Sequence, residues 1–267
     1  MQESFVRSIR EEKGIRLKGI KRDCSFLWLS GWSAEKNVWE AQAKRWPDHE
    51  HVIIDFTDCH TASDVFASAE AAFLRLKRKP VVLIGWSLGA MVALELALRH
   101  PDEAIAVVAV GGTGAFVRSA DCPYGWDRRI VDRMVKRLER DRLSATAHDT
   151  EDMLRDFDGR MFSHTESAAG FLDAWRDASN KRFVSPAALI AGLAYLSAFD
   201  IYPSLDRLRI PVHLLTGGED VVCPPEGAEQ LAGSMPYCEF TCWKHAGHLP
   251  FWTEPDRFYE WMRDRLC

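Results

Sequence analysis

The stretch VVLIGWSLGAMVALELA, residues 81–97, constrains the fold most, because one short motif joins a very apolar run to a helical pattern. Ser87 lies within it in the pattern G-x-S-x-G, between Gly85 and Gly89. A serine on so sharp a strand-to-helix turn takes strained backbone dihedrals, and the glycines let neighbouring backbone approach without a clash. We therefore predict that the Ser87 hydroxyl stands above a central strand as a nucleophile. The alternative interpretation is a glycine-containing turn that has no catalytic role.

Strand-like runs and helical patterns alternate along the rest of the chain, which is typical of an α/β fold with a mostly parallel sheet. The predicted strands are Phe26–Leu29, Val52–Phe56, Val81–Ile84, Ile105–Val110, Val212–Thr216 and Glu239–Trp243. The predicted helices are Val38–Trp46, Ala62–Leu76 with Thr61 or Ser63 as its cap, Leu88–Arg99, one near Glu226–Ser234, and Pro255–Leu266. The run at 81–84 is too apolar for a surface strand, so we expect it near the centre of the sheet.

The pattern changes between the fourth and fifth predicted strands. From about Gly114 to Ser197 there is helical periodicity with many charges, but no convincing strand run. The chain also has no internal repeat and no low-complexity linker that would mark an independent domain. We therefore predict an α/β core formed by residues 1–114 and 198–267, with residues 115–197 inserted as a helical cap.

The tripeptide GWS also occurs at residues 31–33, after the first predicted strand. Ser33 has Glu35 rather than glycine two positions after it, so we do not predict a nucleophile there. A loop in this place can instead donate a backbone N–H to a developing oxyanion, and we predict Trp32 as that donor, with its indole as a wall of the pocket. The second predicted donor is Leu88, whose N–H lies at the positive N-terminal end of the helix after the motif.

A serine hydroxyl needs a base, because it is a weak nucleophile at neutral pH. Asp220 follows the VHLLT run in GGEDVVCPP, and His248 follows the last predicted strand in KHAGHLPF. The chain order Ser, Asp, His, each at the carboxyl end of a strand, predicts that His248 takes the proton of Ser87 while Asp220 orients and stabilises the imidazole. Glu219 and His245 are competing candidates beside them. We rank His245 lower because it lacks the flanking glycine that would let the loop swing inward, and Glu219 lower because an aspartate nearer the turn suits the role better.

Cys238, Cys242, His245 and His248 form C-x3-C-x2-H-x2-H, a spacing that also permits a zinc interpretation. On a strand the two cysteines would lie about 13 Å apart, too far to share a tetrahedral ion. We therefore predict buried core cysteines and no metal. The chain has no P-loop, and GGTG at residues 111–114 lacks the spacing of a dinucleotide site, so we expect no cofactor.

Composition excludes several classes of partner. The formal net charge of −5 at pH 7 indicates neither nucleic-acid binding nor attraction to a membrane surface. No run approaches the ~18 apolar residues of a membrane span, and residues 1–21 are too charged for a signal peptide, so we expect a cytoplasmic protein. Seven cysteines, an odd number scattered over the chain, argue against a disulfide framework and for reduced thiols.

These motifs resemble the α/β-hydrolase superfamily from Phe26 to Leu266. Within it the chain is most similar to the carboxylesterases that cleave pimeloyl-acyl-carrier-protein methyl ester in biotin synthesis. The likeness rests on SGWSAEKNVW, GWSLGAMVALELALRHP, the helical cap, GLAYLSAFDIYPSLDRLRIPVHLLTGGEDVVCPP and KHAGHLPFWTEPDRF. It implies a cofactor-free serine ester hydrolase whose triad is Ser87, Asp220 and His248 and whose oxyanion donors are Trp32 and Leu88. One departure is Ser30, which stands where most relatives have histidine.

In those esterases basic residues of the cap hold the acidic carrier protein. Here the stretch Trp126–Leu143 has seven basic residues against four acidic ones. Five of the basic residues fall on one face of a helix: Arg129, Arg133, Lys136, Arg137 and Arg140. A basic stripe steers acidic partners, so the resemblance implies a contact with acyl-carrier protein. The alternative, which the sequence supports equally, is that these residues form a solvated face with internal ion pairs to Asp132, Glu139 and Asp141.

The residues leave other functions open. A thioesterase, or an esterase of broad specificity for small esters, would use the same triad and differ only in substrate. A C–C bond hydrolase or a cofactor-free haloperoxidase could also reuse it. A non-catalytic ligand-binding protein is the candidate of another class, because fold does not fix function.

Overall fold

The computed structural model describes residues 24–120, 122–143, 148–179 and 184–267, and its centre is one six-stranded sheet. The strands are β1 Ser25–Leu29, β2 Glu50–Ile54, β3 Val81–Trp86, β4 Ala104–Val110, β5 Val212–Gly217 and β6 Cys238–Trp243. They lie in the order β2-β1-β3-β4-β5-β6, and every neighbouring pair is parallel. The chain moves outward from β1 to β2 and then crosses over to β3. A ligand site is therefore expected in the crevice between the carboxyl ends of β1 and β3.

The six predicted strands are all present, and β2 differs most from its predicted range. It covers Glu50–Ile54 rather than Val52–Phe56. The Asp55 carboxylate ends it by accepting hydrogen bonds from the backbone N–H groups of Lys36 and Thr57, which turns the chain. Every residue of β1, β3 and β5 is buried, so helices cover both faces of the sheet centre, and the prediction of a central third strand is confirmed.

The helices surround this sheet. They are α1 Glu40–Ala43, α2 Ala62–Arg75, α3 Leu88–Arg99, α4 Arg128–Leu143, α5 His148–Met161, α6 His164–Ala168, α7 Phe171–Ser179, α8 Pro186–Ala198, α9 Pro225–Ser234, α10 Pro250–Thr253 and α11 Pro255–Leu266. The predictions for α2, α3, α9 and α11 are confirmed to within a residue at each end. Thr61 caps α2, because its side chain accepts from the N–H of Asp64 while the Asp64 carboxylate accepts from the Thr61 N–H.

The predicted helix Val38–Trp46 is wrong in extent. The chain instead forms a short 3-10 helix, Lys36–Trp39, followed by α1. The N–H groups of Arg45 and Trp46 then bond to carbonyls three residues earlier, which tightens the chain just before Pro47. A residue that precedes proline disfavours the α-helical region, so the helix stops early.

Helices α4 to α8 fill the described part of the chain between β4 and β5. Outside the six strands, two isolated bridges are found in the described residues, and one of them joins Ala115 to Asp200 where the segment leaves and rejoins the core. Helix α8 is fastened to α3, because the Tyr195 hydroxyl donates to the Glu95 carboxylate at 2.6 Å. Burial, followed by the negative charge of Glu95, raises the pKa of the Tyr195 phenol, so this group keeps its proton and remains a donor.

We expect Tyr195→Phe to lower the free energy of unfolding by about 1–3 kcal/mol, because a hydrogen bond to a carboxylate is lost while the ring contact with Phe199 stays. Urea denaturation measures this change. Tyr237→Phe is the matched control, since the Tyr237 hydroxyl has no hydrogen-bond partner in the described residues. Equal urea midpoints for Tyr195→Phe and Tyr237→Phe would contradict the expectation.

Part of what the sequence predicts lies outside the described residues. This holds for the charged stretch 1–21 and for residues 121, 144–147 and 180–183 of the predicted cap. Among the residues that the structure does describe, no helix combines the length and the apolar character that crossing a bilayer requires.

Candidate active site

Ser87 occupies a strained turn between β3 and α3. Its backbone has φ 56° and ψ −118°, the left-handed side of φ that residues with a side chain rarely adopt. The two flanking glycines are required by packing. A Cβ at Gly85 would lie 2.2 Å from the carbonyl oxygen of Gly89, and a Cβ at Gly89 would lie 2.2 Å from that of Leu29. The turn therefore holds the serine at the carboxyl end of β3, 4% exposed, at the crevice beside β1.

Asp220 and His248 form a fully buried pair. The Nδ1 atom of His248 lies 2.7 Å from Oδ2 of Asp220, and both side chains are 0% exposed. The other carboxylate oxygen, Oδ1, accepts from the backbone N–H groups of Val222 and Cys223, each at 2.8 Å. A carboxylate can only accept, so the proton of the neutral imidazole is on Nδ1 and the Nε2 lone pair is available as a base. Nε2 is buried and has no hydrogen-bond partner among the described residues.

Trp86 connects the serine turn to the histidine. Its indole N–H donates to the carbonyl oxygen of His248 at 2.9 Å, and the two rings lie 5.5 Å apart. The His248 N–H donates in turn to the carbonyl of Met161 at 2.7 Å. The imidazole also rests against Gly111, where a Cβ would lie 2.9 Å from the ring. Since Trp86 directly precedes Ser87, this contact fixes the histidine loop beside the nucleophile turn; its position inside G-x-S-x-G is the only sequence signal of that role.

The loops after β1 and β3 lie side by side, because Leu29 pairs with Gly85 in the sheet. In the described residues no acceptor is found for the backbone N–H of Trp32 or of Leu88. The Trp32 indole donates to the carbonyl of Leu189 in α8 at 2.9 Å and so forms a wall between the sheet and the helical segment. Two free N–H groups at this crevice are the arrangement that an oxyanion requires.

The structure places the competing candidates elsewhere. His245 and Glu219 lie at the surface, with side chains 70% and 37% exposed, and they face each other at 3.4 Å. The prediction of buried core cysteines is wrong for Cys242, which is exposed, and Cys238 is half-buried. The reason is that β6 is an edge strand, which has a neighbour on one side only. Within the described residues no group of histidine, cysteine and carboxylate side chains could hold a metal ion.

The predicted basic stripe lies on α4. Arg129, Arg133 and Lys136 are exposed. Arg140 lies 3.0 Å and Arg137 3.7 Å from the carboxylate of a residue that the sequence did not single out, Asp149 of α5. Those two arginines are therefore partly neutralised, whereas the N-terminal part of the stripe faces solvent.

The acidic residues predicted to neutralise the stripe do not contact it closely. No ion pair within 4 Å joins Asp132, Glu139 or Asp141 to a basic side chain in the described part of the chain. Asp141 instead accepts a hydrogen bond from the backbone N–H of Thr150 and so fastens the start of α5 to the end of α4. The alternative is therefore wrong in its ion pairs, since Arg137 and Arg140 pair with Asp149 instead. Its solvated face agrees with the exposed part of the stripe.

A cleft of about 370 Å³ opens between α4, α5 and the loop after β5. Its apolar lining includes Trp126, Phe157 and Val221, the last of which directly follows Asp220. Three arginines and two aspartates also line it: Arg118, Arg137, Arg160, Asp127 and Asp156. Such a surface can take an apolar chain that carries a polar or anionic group.

Residues 26–261 match the profile of the alpha/beta hydrolase family. The chain belongs to this family. The resemblance and the fold class predicted from the motifs are thereby confirmed.

The chain is also similar to individual members of the family. The pimeloyl-[acyl-carrier protein] methyl ester esterase of Nitrosomonas europaea is 30% identical over 243 residues, which cover 87% of this chain and 91% of the relative. The enzyme of the same name from Aromatoleum aromaticum is 30% identical over 244 residues, covering 85% of this chain and 92% of the relative. An esterase from Exiguobacterium antarcticum matches in structure with a TM-score of 0.75 at 21% identity, over 93% of this chain and 92% of that one. At this identity the match shows a shared fold.

Proposed function

We propose that this α/β hydrolase is a serine carboxylesterase that works through an acyl-enzyme at Ser87. The observation that carries the proposal is the buried Asp220–His248 pair with its unpartnered Nε2, connected through Trp86 to the strained serine turn. Both residues of the pair are held by backbone groups, which is the preorganisation that general-base catalysis needs. Nothing in the proposed chemistry calls for a metal or an organic cofactor.

The proposed reaction has two halves. Nε2 of His248 takes the proton of Ser87 Oγ as that oxygen attacks the ester carbonyl carbon, and the N–H groups of Trp32 and Leu88 stabilise the oxyanion. The tetrahedral intermediate expels the alkoxide, which receives the proton from His248 and leaves as an alcohol. A water molecule then attacks the acyl-enzyme with the same base, which returns the proton to Ser87 Oγ and releases the carboxylic acid.

We further propose the methyl ester of pimeloyl-acyl-carrier protein as substrate, with residues 115–197 acting as a cap over the acyl chain. The relatives from Nitrosomonas and Aromatoleum, which carry that activity in their names, support this assignment. The cleft between α4, α5 and the loop after β5 has both apolar side chains and arginines in its lining, which suits an aliphatic chain that carries a polar or anionic group. The proposal includes action in the cytoplasm and does not involve nucleic acid or a membrane.

The test is hydrolysis of pimeloyl-acyl-carrier-protein methyl ester beside p-nitrophenyl esters of graded chain length and an acyl thioester. We expect the carrier-bound methyl ester to give the highest kcat/KM, with methanol as the released product. Preference for the thioester, followed as thiol release, would make the protein a thioesterase. Turnover of the small esters alone would support the proposed triad and contradict the proposed carrier-bound substrate.

The exposed end of the basic stripe gives a prediction of its own. We expect the double variant Arg129→Glu/Arg133→Glu to raise KM for the carrier-bound ester about tenfold and to leave the p-nitrophenyl esters unaffected, because opposite charges steer an acidic partner. The effect should shrink in high salt. Arg75→Glu/Lys77→Glu is the matched control, with the same change of net charge on exposed side chains outside residues 115–197. Equal effects of the two double variants would contradict a specific contact.

A further inference from the structure

Glu166, in helix α6, is a buried carboxylate with contacts in three parts of the chain. It is 7% exposed. Its Oε2 accepts from the backbone N–H of Ser163 at 2.8 Å and from that of Gly247 at 2.9 Å. Its Oε1 accepts from the Thr253 hydroxyl at 2.7 Å. One side chain thus fastens the helical segment between β4 and β5 both to the histidine loop and to α10.

These contacts exceed what a helix cap needs. Ser163 and Glu166 form a capping box at the start of α6, and such a box requires only the two reciprocal bonds between them. A capping glutamate is ordinarily at the surface, whereas burial of a charge costs free energy unless strong hydrogen bonds offset it. No basic side chain lies within 4 Å of Glu166 among the described residues, so the hydrogen bonds supply that compensation.

The histidine loop is held at two successive backbone N–H groups. Glu166 accepts from Gly247, and the carbonyl of Met161 accepts from His248. The approach is so close that a Cβ at position 247 would lie 2.5 Å from the Met161 carbonyl oxygen and 2.8 Å from Oε2 of Glu166. Among the described residues, the one hydrogen bond of the imidazole is that of Nδ1 to Asp220, so the height and tilt of the ring above Ser87 also depend on where this backbone lies.

We propose that Glu166 is a positioning residue for His248. By fixing the Gly247 peptide, it sets the orientation of the imidazole toward Ser87 and couples the cap to the catalytic base. This inference rests on the proposed function, in which His248 is that base. An oxygen that accepts from Gly247 is what the role requires; the negative charge is not. A misplacement of a catalytic group by about 1 Å can cost 10²-fold in rate, so the expected effect is on kcat.

Three substitutions at one position separate the acceptor from the charge and the volume. Glu166→Met fills the same space without an acceptor. Glu166→Gln keeps an oxygen toward Ser163 and Gly247, and its amide can donate to Thr253, whose hydroxyl can turn to the carbonyl of Leu249 at 3.3 Å. Glu166→Asp keeps the charge but is one methylene shorter, and it stands in for the methionine variant if that variant does not fold.

We expect Glu166→Met to lower kcat for a p-nitrophenyl ester about 10- to 100-fold with little change in KM, and Glu166→Gln to restore most of it. The proton resonance of His248 Nδ1–H, shifted downfield by Asp220, should move in Glu166→Met and stay in Glu166→Gln. Ser163→Ala is the matched control: it removes the other half of the capping box and destabilises α6, but it leaves the Gly247 bond in place. Its kcat should stay near that of the wild type.

A wild-type kcat in folded Glu166→Met, or in Glu166→Asp where that variant replaces it, would overturn the inference. So would a loss in Ser163→Ala equal to that in Glu166→Met, since helix stability alone would then explain both. A Glu166→Gln variant as slow as Glu166→Met would also overturn it, because the charge rather than the acceptor would be needed. Ser87→Ala is run in the same assay. If the wild type has no turnover that Ser87→Ala removes, the proposed function fails instead.

Discussion

Ser87→Ala is expected to lower kcat about 10⁴- to 10⁶-fold and to leave the fold intact. The substitution removes the nucleophile, while the oxyanion donors and the substrate contacts remain and account for the residual rate. Alanine occupies the strained dihedrals of position 87 no less readily than serine does, so the turn between Gly85 and Gly89 should persist. The measurement is kcat on a p-nitrophenyl ester, with circular dichroism to verify folding.

The sequence contains its own control for this variant. Ser33 also follows a strand, a glycine and a tryptophan, and it too has a positive φ, at 65°. Ser33→Ala should therefore carry the same local cost and still turn over ester at a rate of the same order as the wild type. The account is contradicted if Ser33→Ala abolishes turnover or if Ser87→Ala retains it.

Asp220→Asn is expected to lower kcat about 10⁴-fold. The amide oxygen can keep the two hydrogen bonds from Val222 and Cys223, so the loop should retain its shape. The amide nitrogen would then face Nδ1 of His248 and donate to it. That reverses the tautomer, places the imidazole proton on Nε2, and removes the lone pair that the serine needs.

Glu219→Gln is the matched control, since it makes the same chemical change one residue away. Glu219 is half-exposed and faces the exposed His245, so its loss should leave kcat at the same order as in the wild type. Comparable losses in the two variants would indicate a general effect on the loop and would remove Asp220 from its proposed role.

The strands and most core helices follow from local pattern, whereas the ends of some elements depend on single side chains. The apolar runs of β3 and β4 and the capped, amphipathic α2 are specified by residues adjacent in sequence. The end of β2 is set by the Asp55 carboxylate, and the early end of α1 by the turn before Pro47, which hydrophobic periodicity does not register.

The candidate site likewise has parts that local sequence patterns predict and parts that they do not. The positions of Ser87, Asp220 and His248 could be predicted because each follows a recognisable strand, and parallel strands bring their carboxyl ends to one edge. The contacts that hold the site together join residues far apart in the chain. Trp86 reaches His248 across 162 positions and Glu166 reaches Gly247 across 81, so no spacing pattern in the sequence indicates either one.

Covalent labelling with a fluorophosphonate tests the central claim most directly. An activated serine forms a stable phosphonyl adduct, which adds a fixed mass to the intact protein and can be assigned by peptide sequencing. We predict a single adduct on Ser87 in the wild type, none in Ser87→Ala, and much slower labelling in Asp220→Asn. An unlabelled wild-type protein, or an adduct on Ser33 or any other residue, would contradict the assignment of Ser87 as the nucleophile of this hydrolase.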